Sequence, residues 1–557
     1  MTNIKTSKVL ILTGGFLSGK EESFFDIIKR QIEQWRFSKF SWLETIIKLN
    51  SIEPIIYVEM LRKKKKIKEL ERFFKTSFNE TPELTEVILA TLLSHEGISY
   101  ETLTIDDLFS RRKKSEQLLQ TCDCIFLSTT LLRDLSEIIP IIEKIKVTKN
   151  HLVLGGPLTQ ILKENLNLIK GVDVITLGYG EFVVPAIVKW IKSDFKILYA
   201  PENGKLEKIE DTFILYSGHP NGTSLDSLTT PDWSQSQKYH GTQFEMIHYE
   251  SVRGCPYRCS FCNYPFLFND DNFRYKSAKK IADDWEKYET EMGPKIINCL
   301  DSLFTMPRKR LFELCDEIEK RKLKSRWICY ARSEDMAIDE VCIAMKKAGI
   351  LQVQIGLETG SPQILKNMNK HCSLEENIKA IENCRKYGIT SVVSLIVGFP
   401  GETAETIEET YQLMKMVKPD FFFIATFSTR AKSVPILSDK NRDTFGIWID
   451  ENVYSVSPYW EHKTMSAFEV GESVRQLQLR LMEEKISLNA FVFYKGMPNY
   501  DIDDRIALLD FQSEAVVRQN LLPKIFKMCC QFVARRIKSD IEIIRKISKN
   551  RSFKKVA

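Results

Sequence analysis

From residue 8 onward, short apolar runs alternate with stretches whose apolar positions recur every three or four residues. The runs at 9–12, 100–105, 124–127, 151–154 and 172–177 have strand length, and the patterns at 82–93 and 135–145 predict helices between them. Strands separated by helices predict a parallel, doubly wound sheet, because two parallel strands can be joined only by a crossover. The stretch 20–79 is longer than a first crossover requires and reads as a helical insertion, with the cationic run from Arg62 to Lys66 as a solvated face. A polar connector rich in Gly, Pro, Ser and Asp follows from 194 to 243 and includes Thr229, Thr230, Pro231, Asp232 and Trp233. The alternation resumes at 244–248, 296–300, 327–330, 353–356, 391–397 and 421–425. These six strand–helix units predict a partial (β/α)6 barrel of the TIM type. After residue 428 the rhythm is lost, and 429–557 reads as a mainly helical C-terminal domain or cover with a basic end at 525–549. The expected architecture is therefore α/β: a Rossmann-like sheet over 1–193, a connector over 194–243, a barrel over 244–428 and a cover.

Composition changes this picture little. Of 557 residues, 43% are hydrophobic and 28% charged, which is ordinary for a soluble globular protein. The net charge of +6 arises from 80 basic and 74 acidic residues, too small an excess to predict a nucleic-acid partner. The apolar start ends at Gly14 and Gly15, too soon for a signal peptide, and no apolar run reaches the ~18 residues of a membrane span. A cytoplasmic protein with no membrane span is expected. Thirteen cysteines, an odd number, predict reduced thiols. Cys299, Cys315, Cys329, Cys342 and Cys384 fall in strand or helix patterns and read as small core hydrophobes. Neither the pair Cys122 and Cys124 nor Cys529 and Cys530 has metal-ligand spacing.

A different chemistry is written in Ser251-Val-Arg-Gly-Cys255-Pro-Tyr-Arg-Cys259-Ser-Phe-Cys262, which follows the first barrel strand. Three thiolates with three and then two intervening residues can wrap one iron–sulfur cubane from a single loop. One iron is then left open to a chelating substrate or cofactor. A closed zinc site is the alternative, but it takes four protein ligands and the loop offers three. The C-terminal end of a barrel strand is also where barrel chemistry gathers.

These residues resemble the radical S-adenosylmethionine (SAM) superfamily, whose Cys-x3-Cys-x2-Cys loop is matched at all three positions. The resemblance runs over about 244–427. Later strands add Leu300-Asp301-Ser302, Tyr330-Ala331-Arg332, Gln354 through Glu358 to Ser361, and Ser394 through Gly398 to Gly401-Glu402. The resemblance implies that Cys255, Cys259 and Cys262 hold a four-iron four-sulfur cluster and that SAM chelates its open iron. Phe261 is then near the adenine and Glu358 on the ribose hydroxyls. Gln354 belongs to the cofactor-facing set, Arg332 or Asp301 meets the methionine end or the substrate, and Gly398 lets backbone approach the ligand. Each of these residues taken alone reads equally well as a salt bridge, cap or turn. The Gly-Gly-Glu common after the second strand is absent, and Asn298-Cys299-Leu300-Asp301 stands there instead.

In the preceding sheet, glycines follow strands at Thr13-Gly14-Gly15, Gly155-Gly156-Pro157 and Gly178-Tyr179-Gly180-Glu181, and Ser128, Thr129 and Thr130 add hydroxyls at the same edge. Ligands of doubly wound sheets bind at that edge. Ahead of a radical loop, this arrangement is similar to the cobalamin-binding domain of cobalamin-dependent radical SAM enzymes, over about 8–192. The implied corrin lies on the glycine edge. None of the seven histidines sits in Asp-x-His-x-x-Gly, so no lower cobalt ligand from that motif is expected. A dinucleotide site or a vestigial sheet remains the alternative. The expected activity is methylation of an unactivated carbon in a small-molecule or peptide substrate, with an external electron donor such as flavodoxin or ferredoxin. Oxidative cyclisation, ring rearrangement, non-radical methyl transfer and a noncatalytic sensor are the other readings. No catalytic acid or base is assigned.

Overall fold

The computed structural model describes residues 7–15, 53–54, 56–58, 60–62, 81–146, 149–449, 459–493 and 497–518. Most of the expected 20–79 insertion, Cys529, Cys530 and the basic end at 525–549 lie outside the described residues.

The N-terminal sheet has seven strands: β1 Lys8–Thr13, β2 Ser99–Thr104, β3 Cys124–Ser128, β4 His151–Gly155, β5 Val174–Leu177, β6 Lys205–Ile209 and β7 Thr212–Tyr216. Their order is β2-β1-β3-β4-β5-β7-β6, and only β6 runs antiparallel to its neighbour. Both faces are covered, as a parallel sheet requires. Leu10, Leu12, Ile125 and Leu127 pack beneath the helix Leu135–Ile145. Val9, Ile11 and Phe126 pack beneath the helices Leu84–His95 and Gly180–Lys192.

The segment 194–243, expected to be a polar connector, contains regular structure. It carries the β6–β7 hairpin, whose Ile214 and Leu215 are fully buried, and the helix Trp233–His240. The hairpin extends the first sheet by pairing β7 parallel to β5. Its outer strand alternates Lys205, Glu207 and Lys208 with apolar residues, charges that suit an edge exposed to water.

The second sheet consists of β8 Met246–Tyr249, β11 Ile296–Cys299, β12 Arg326–Ala331, β13 Ile350–Glu358, β14 Thr390–Val397, β15 Phe421–Thr426 and β18 Leu488–Asn489. Short ribbons intervene: β9 Val252–Arg253 with β10 Arg274–Tyr275, and β16 Trp448–Ile449 with β17 Trp460–Glu461. The seven strands are parallel and pair in sequence order, and β8 and β18 form the two unpaired edges of an open barrel. Six strands were expected. The seventh is two residues long, too short for a pattern to announce, and comes from the region taken as cover. Trp285, Phe304 and Trp327 pack together on the outer side, and Cys299, Cys315, Cys329, Cys342 and Cys384 are buried in this core. The C-terminal helices Ala467–Glu483 and Ile502–Val517 pack on each other beside β15 and β18. Among the described residues no helix is long and apolar enough to cross a membrane.

Candidate functional site

The cysteine loop leaves the C-terminal end of β8 and is tied down before its first thiol. Asp301, just after β11, accepts hydrogen bonds from Ser251 N (2.6 Å), Ser251 Oγ (2.5 Å) and Val252 N (2.8 Å). Arg310 donates to Ser251 Oγ from the other side at 3.3 Å. Burial pushes the Asp301 carboxyl up to about 6, against these hydrogen bonds. Asp301 thus clamps the loop from behind, with both oxygens engaged by it. Gly254 follows at φ +76°, where a Cβ would stand 2.2 Å from Asn272 O, so only glycine fits.

Cys259 is buried between the partly accessible Cys255 and Cys262. Burial raises the Cys255 and Cys262 thiols, Cys262 to about 11, and the charge of the neighbouring thiols adds to it. Coordination to iron removes that penalty, since the metal binds the thiolate. Arg332 Nη1 lies 3.8 Å from Cys259 Sγ, and its guanidinium stacks 3.8 Å over the Tyr257 ring. It is held there by Glu334 Oε1 at 2.8 Å from Nε and by the Lys370 carbonyl. Among the described residues no three His, Cys, Asp or Glu side chains converge on one metal ion. A tetrahedral ion gathers its thiolates at about 2.3 Å, whereas a cubane takes each on a separate iron. Three thiols from one loop with a cation against the central one fit a cluster.

Beyond the loop, Phe261 meets Phe399 edge to face at 6.3 Å. Gln354 Nε2 donates to Ser394 Oγ at 2.9 Å. Glu358, at φ +65° in a bulge of β13, pairs with buried Lys370 at 2.8 Å. Burial disfavours the Lys370 ammonium, but Glu358 outweighs it and raises its pKa. Gly398 lies against the C-terminal segment. The space where its Cβ would stand is filled by Val470 at 2.4 Å and Trp460 at 3.1 Å, and its carbonyl accepts from His462 Nε2 at 3.2 Å. Its glycine character permits the close approach of the C-terminal segment.

A cavity of about 510 Å³ lies between the glycine edge of the first sheet and the first two barrel strands. Gly155, Gly156, Gly178, Gly180, Ser128, Thr130 and Glu181 line one side, and His248, Glu250, Arg253, Asn298 and Leu300 the other. Ser128 and Thr130 share a 3.0 Å hydrogen bond. Three expected contributors stand back from it. Thr13 donates to Glu86 at 3.2 Å, Gly14 N–H donates to Glu83, and Thr129 N donates to Gly155 O at 2.7 Å. Gly156 has φ +112° and its missing Cβ would stand 2.8 Å from Thr129 Oγ1, so here too glycine answers to packing. Gly180 is the contrast: its Cβ would meet nothing within 4 Å.

Glu181 makes a two-point pair with Arg253 at 2.7 and 3.0 Å, and Arg253 also binds Glu250 at 2.8 Å. Burial disfavours the Glu181 carboxylate, but Arg253 outweighs it and holds it below the ordinary range. The guanidinium lies 4.8 Å from the Tyr179 ring centroid, so residues of the glycine edge grip the residue two places before Cys255. Glu83 also lines the cavity. Burial pushes it to about 7, and its Oε2 is buried without a partner. A cavity with apolar walls, a glycine rim and an unsatisfied polar atom fits a large planar ligand that carries amide donors. Sequence reasoning passed over His248, Asn298, Glu83 and the role of Arg253. The signal for two of them was the polar alternation of His248 with Glu250 and, in register with His248, Asn298 on strands otherwise apolar.

Comparison with known proteins agrees with this geometry. Residues 249–414 match the model of the Radical SAM superfamily. An anaerobic magnesium-protoporphyrin IX monomethyl ester cyclase of Rubrivivax gelatinosus is 30% identical over 287 residues, 48% of this chain and 49% of the relative. An uncharacterised methyltransferase of Pyrococcus horikoshii is 27% identical over 298 residues, 50% of this chain and 62% of the relative. The chain thus spans about half the length of the curated relatives it matches. The radical SAM methyltransferase TsrM of Kitasatospora setae, solved with cobalamin and a four-iron four-sulfur cluster bound, superposes with a TM-score of 0.61 at 15% identity. That match covers 79% of this chain and 97% of TsrM, so the shared fold includes both sheets.

Proposed function

We propose that this chain is a cobalamin-dependent radical SAM enzyme that methylates an unactivated carbon of a small molecule or peptide. The observation that carries this reading is the cavity itself, which joins the glycine edge to the strands that bear the cysteine loop. When bound, the cluster with SAM supplies one-electron cleavage chemistry and cobalamin supplies a methyl carrier. The chain's own residues hold and align. Cys255, Cys259 and Cys262 are the cluster ligands, Arg332 balances thiolate charge, and Glu358 with Lys370 presents a fixed polar pair inside the barrel. Gly155, Gly178 and Gly180 leave room for the corrin, and the apolar cavity walls keep water away. Phe261 beside Phe399 offers an aromatic edge for the adenine.

Oxidative ring closure is a second reading, supported by the 30% identity to a magnesium-protoporphyrin cyclase. Anaerobic reconstitution with iron, sulfide, hydroxocobalamin and SAM bearing a deuterated methyl group separates the two. Label appearing in product supports methylation, whereas a product that lacks label and has lost hydrogen supports ring closure. A protein that retains no corrin after desalting contradicts both. Retained SAM cleavage in Cys259→Ala contradicts the cluster assignment.

A further inference from the structure

Among the described residues His248 is the one imidazole on the wall of the cavity. It stands on β8 with its ring toward the lumen, flanked along the strand by Ile247 and Tyr249, which pack outward into the core. Its backbone is fixed, because the Trp233 indole donates to the His248 carbonyl at 3.1 Å. Its ring is fixed as well. Asn298, directly opposite in register on β11, places Nδ2 3.2 Å from His248 Nδ1. An amide N–H can only donate, so Nδ1 accepts and the ring proton belongs on Nε2. Burial lowers the pKa of this imidazole to about 4, which leaves it neutral near pH 7. No protein group among the described residues bonds Nε2, and the atom is not sealed from the cavity.

We propose that His248 is a ligand-contacting residue of this cavity, donating Nε2–H to a carbonyl oxygen of the molecule bound there. Asn298 acts through it as a positioning residue. A neutral N–H donor selects an amide, ester or acid carbonyl, which accepts, over a cation, which cannot. Two sources present such an oxygen: the amide side chains of cobalamin and the carboxyl or ester groups of the substrate. The cobalamin source rests on the function proposed above, and the substrate source does not.

The test is ¹⁵N NMR of the full chain labelled in histidine, with the His248 signals assigned by their loss in His248→Gln. The chain has only seven histidines, so the assignment is tractable. In the ligand-free protein the expected state is the Nε2–H tautomer, converting to a mixture of tautomers in Asn298→Leu. Addition of hydroxocobalamin, or separately of protoporphyrin IX monomethyl ester as a carbonyl-bearing probe, is expected to shift the Nε2 signal. The ligand that does so identifies the source. An Nδ1–H tautomer in the free protein overturns the proposal, as does a protein that binds both ligands with neither moving the signal. Visible spectra of retained corrin are read on the same samples. Absence of corrin there defeats the cobalamin reading alone, while the tautomer and the porphyrin arm still decide the role of His248.

Discussion

Glu181 and Arg253 meet through two hydrogen bonds of 2.7 and 3.0 Å, with both side chains less than a tenth exposed, and they join the glycine edge of one sheet to the cysteine loop of the other. Removing one member of such a pair leaves a buried charge without its partner, at a cost of about 3–5 kcal/mol. Arg253→Met strands both Glu181 and Glu250 and is expected to fall in that range. Glu181→Gln leaves Arg253 with Glu250 and is expected to lose less. Urea unfolding of the two variants orders them. Because the folded pKa of Glu181 is depressed, the stability it provides is present above the unfolded value of about 4.3 and is lost as pH falls through the lower folded value.

Asp301 has the opposite sign. Its folded pKa of about 6 exceeds the unfolded value of about 3.9, so folding is favoured with the carboxyl protonated and stability declines as pH rises between those values. Asp301→Asn removes that slope. Urea midpoints at pH 4, 5, 6 and 7 are expected to show a smaller decline in the variant, and an unchanged slope would contradict the assignment.

Arg332 places a cation 3.8 Å from Cys259 Sγ. A nearby positive charge favours the reduced, more negative state of a thiolate-ligated cluster, although Glu334 offsets part of it. Arg332→Met is expected to make the cluster potential more negative by roughly tens of millivolts, read by redox titration with EPR detection.

Gly180 separates space from strain. Ala is accommodated there without contact and at a helix start, so Gly180→Ala is expected to leave stability unchanged or raise it by up to about 1 kcal/mol. Gly180→Leu pushes into the cavity and is expected to weaken retention of hydroxocobalamin at least tenfold with the melting temperature preserved. Gly156→Ala, forced to φ +112° against Thr129, is expected to destabilise instead.

The sequence carried most of the architecture because its strands are buried on both faces and stand out as apolar runs. It did not carry the β6–β7 hairpin, whose outer strand is half charged, or β18, which is two residues long. The proposed cluster ligands Cys255, Cys259 and Cys262 were legible because they are neighbours in one loop. The contacts of Asp301, Gly398 and Thr13 were not legible, for the converse reason. Ser251, Val470 and Glu86 are their partners only in three dimensions, and a polar or small residue at a strand end looks alike whether it faces a ligand or a neighbouring segment. His248 was seen only as a strand residue, because its partner Asn298 lies 50 positions away.

The contacts between the two sheets also bear on how such proteins can be recombined. Besides Glu181 with Arg253, Tyr239 hydroxyl accepts from Thr102 N at 2.9 Å and His240 pairs with Glu86 at 2.8 Å, so segments far apart in sequence are matched at several points. A hybrid that joins this sheet to another protein's barrel at the 194–243 segment therefore inherits half of each pair. Glu86, Thr102, Glu181, the helix Trp233–His240 and Arg253 travel as one heritable unit, and a breakpoint after residue 253 keeps all three pairs together.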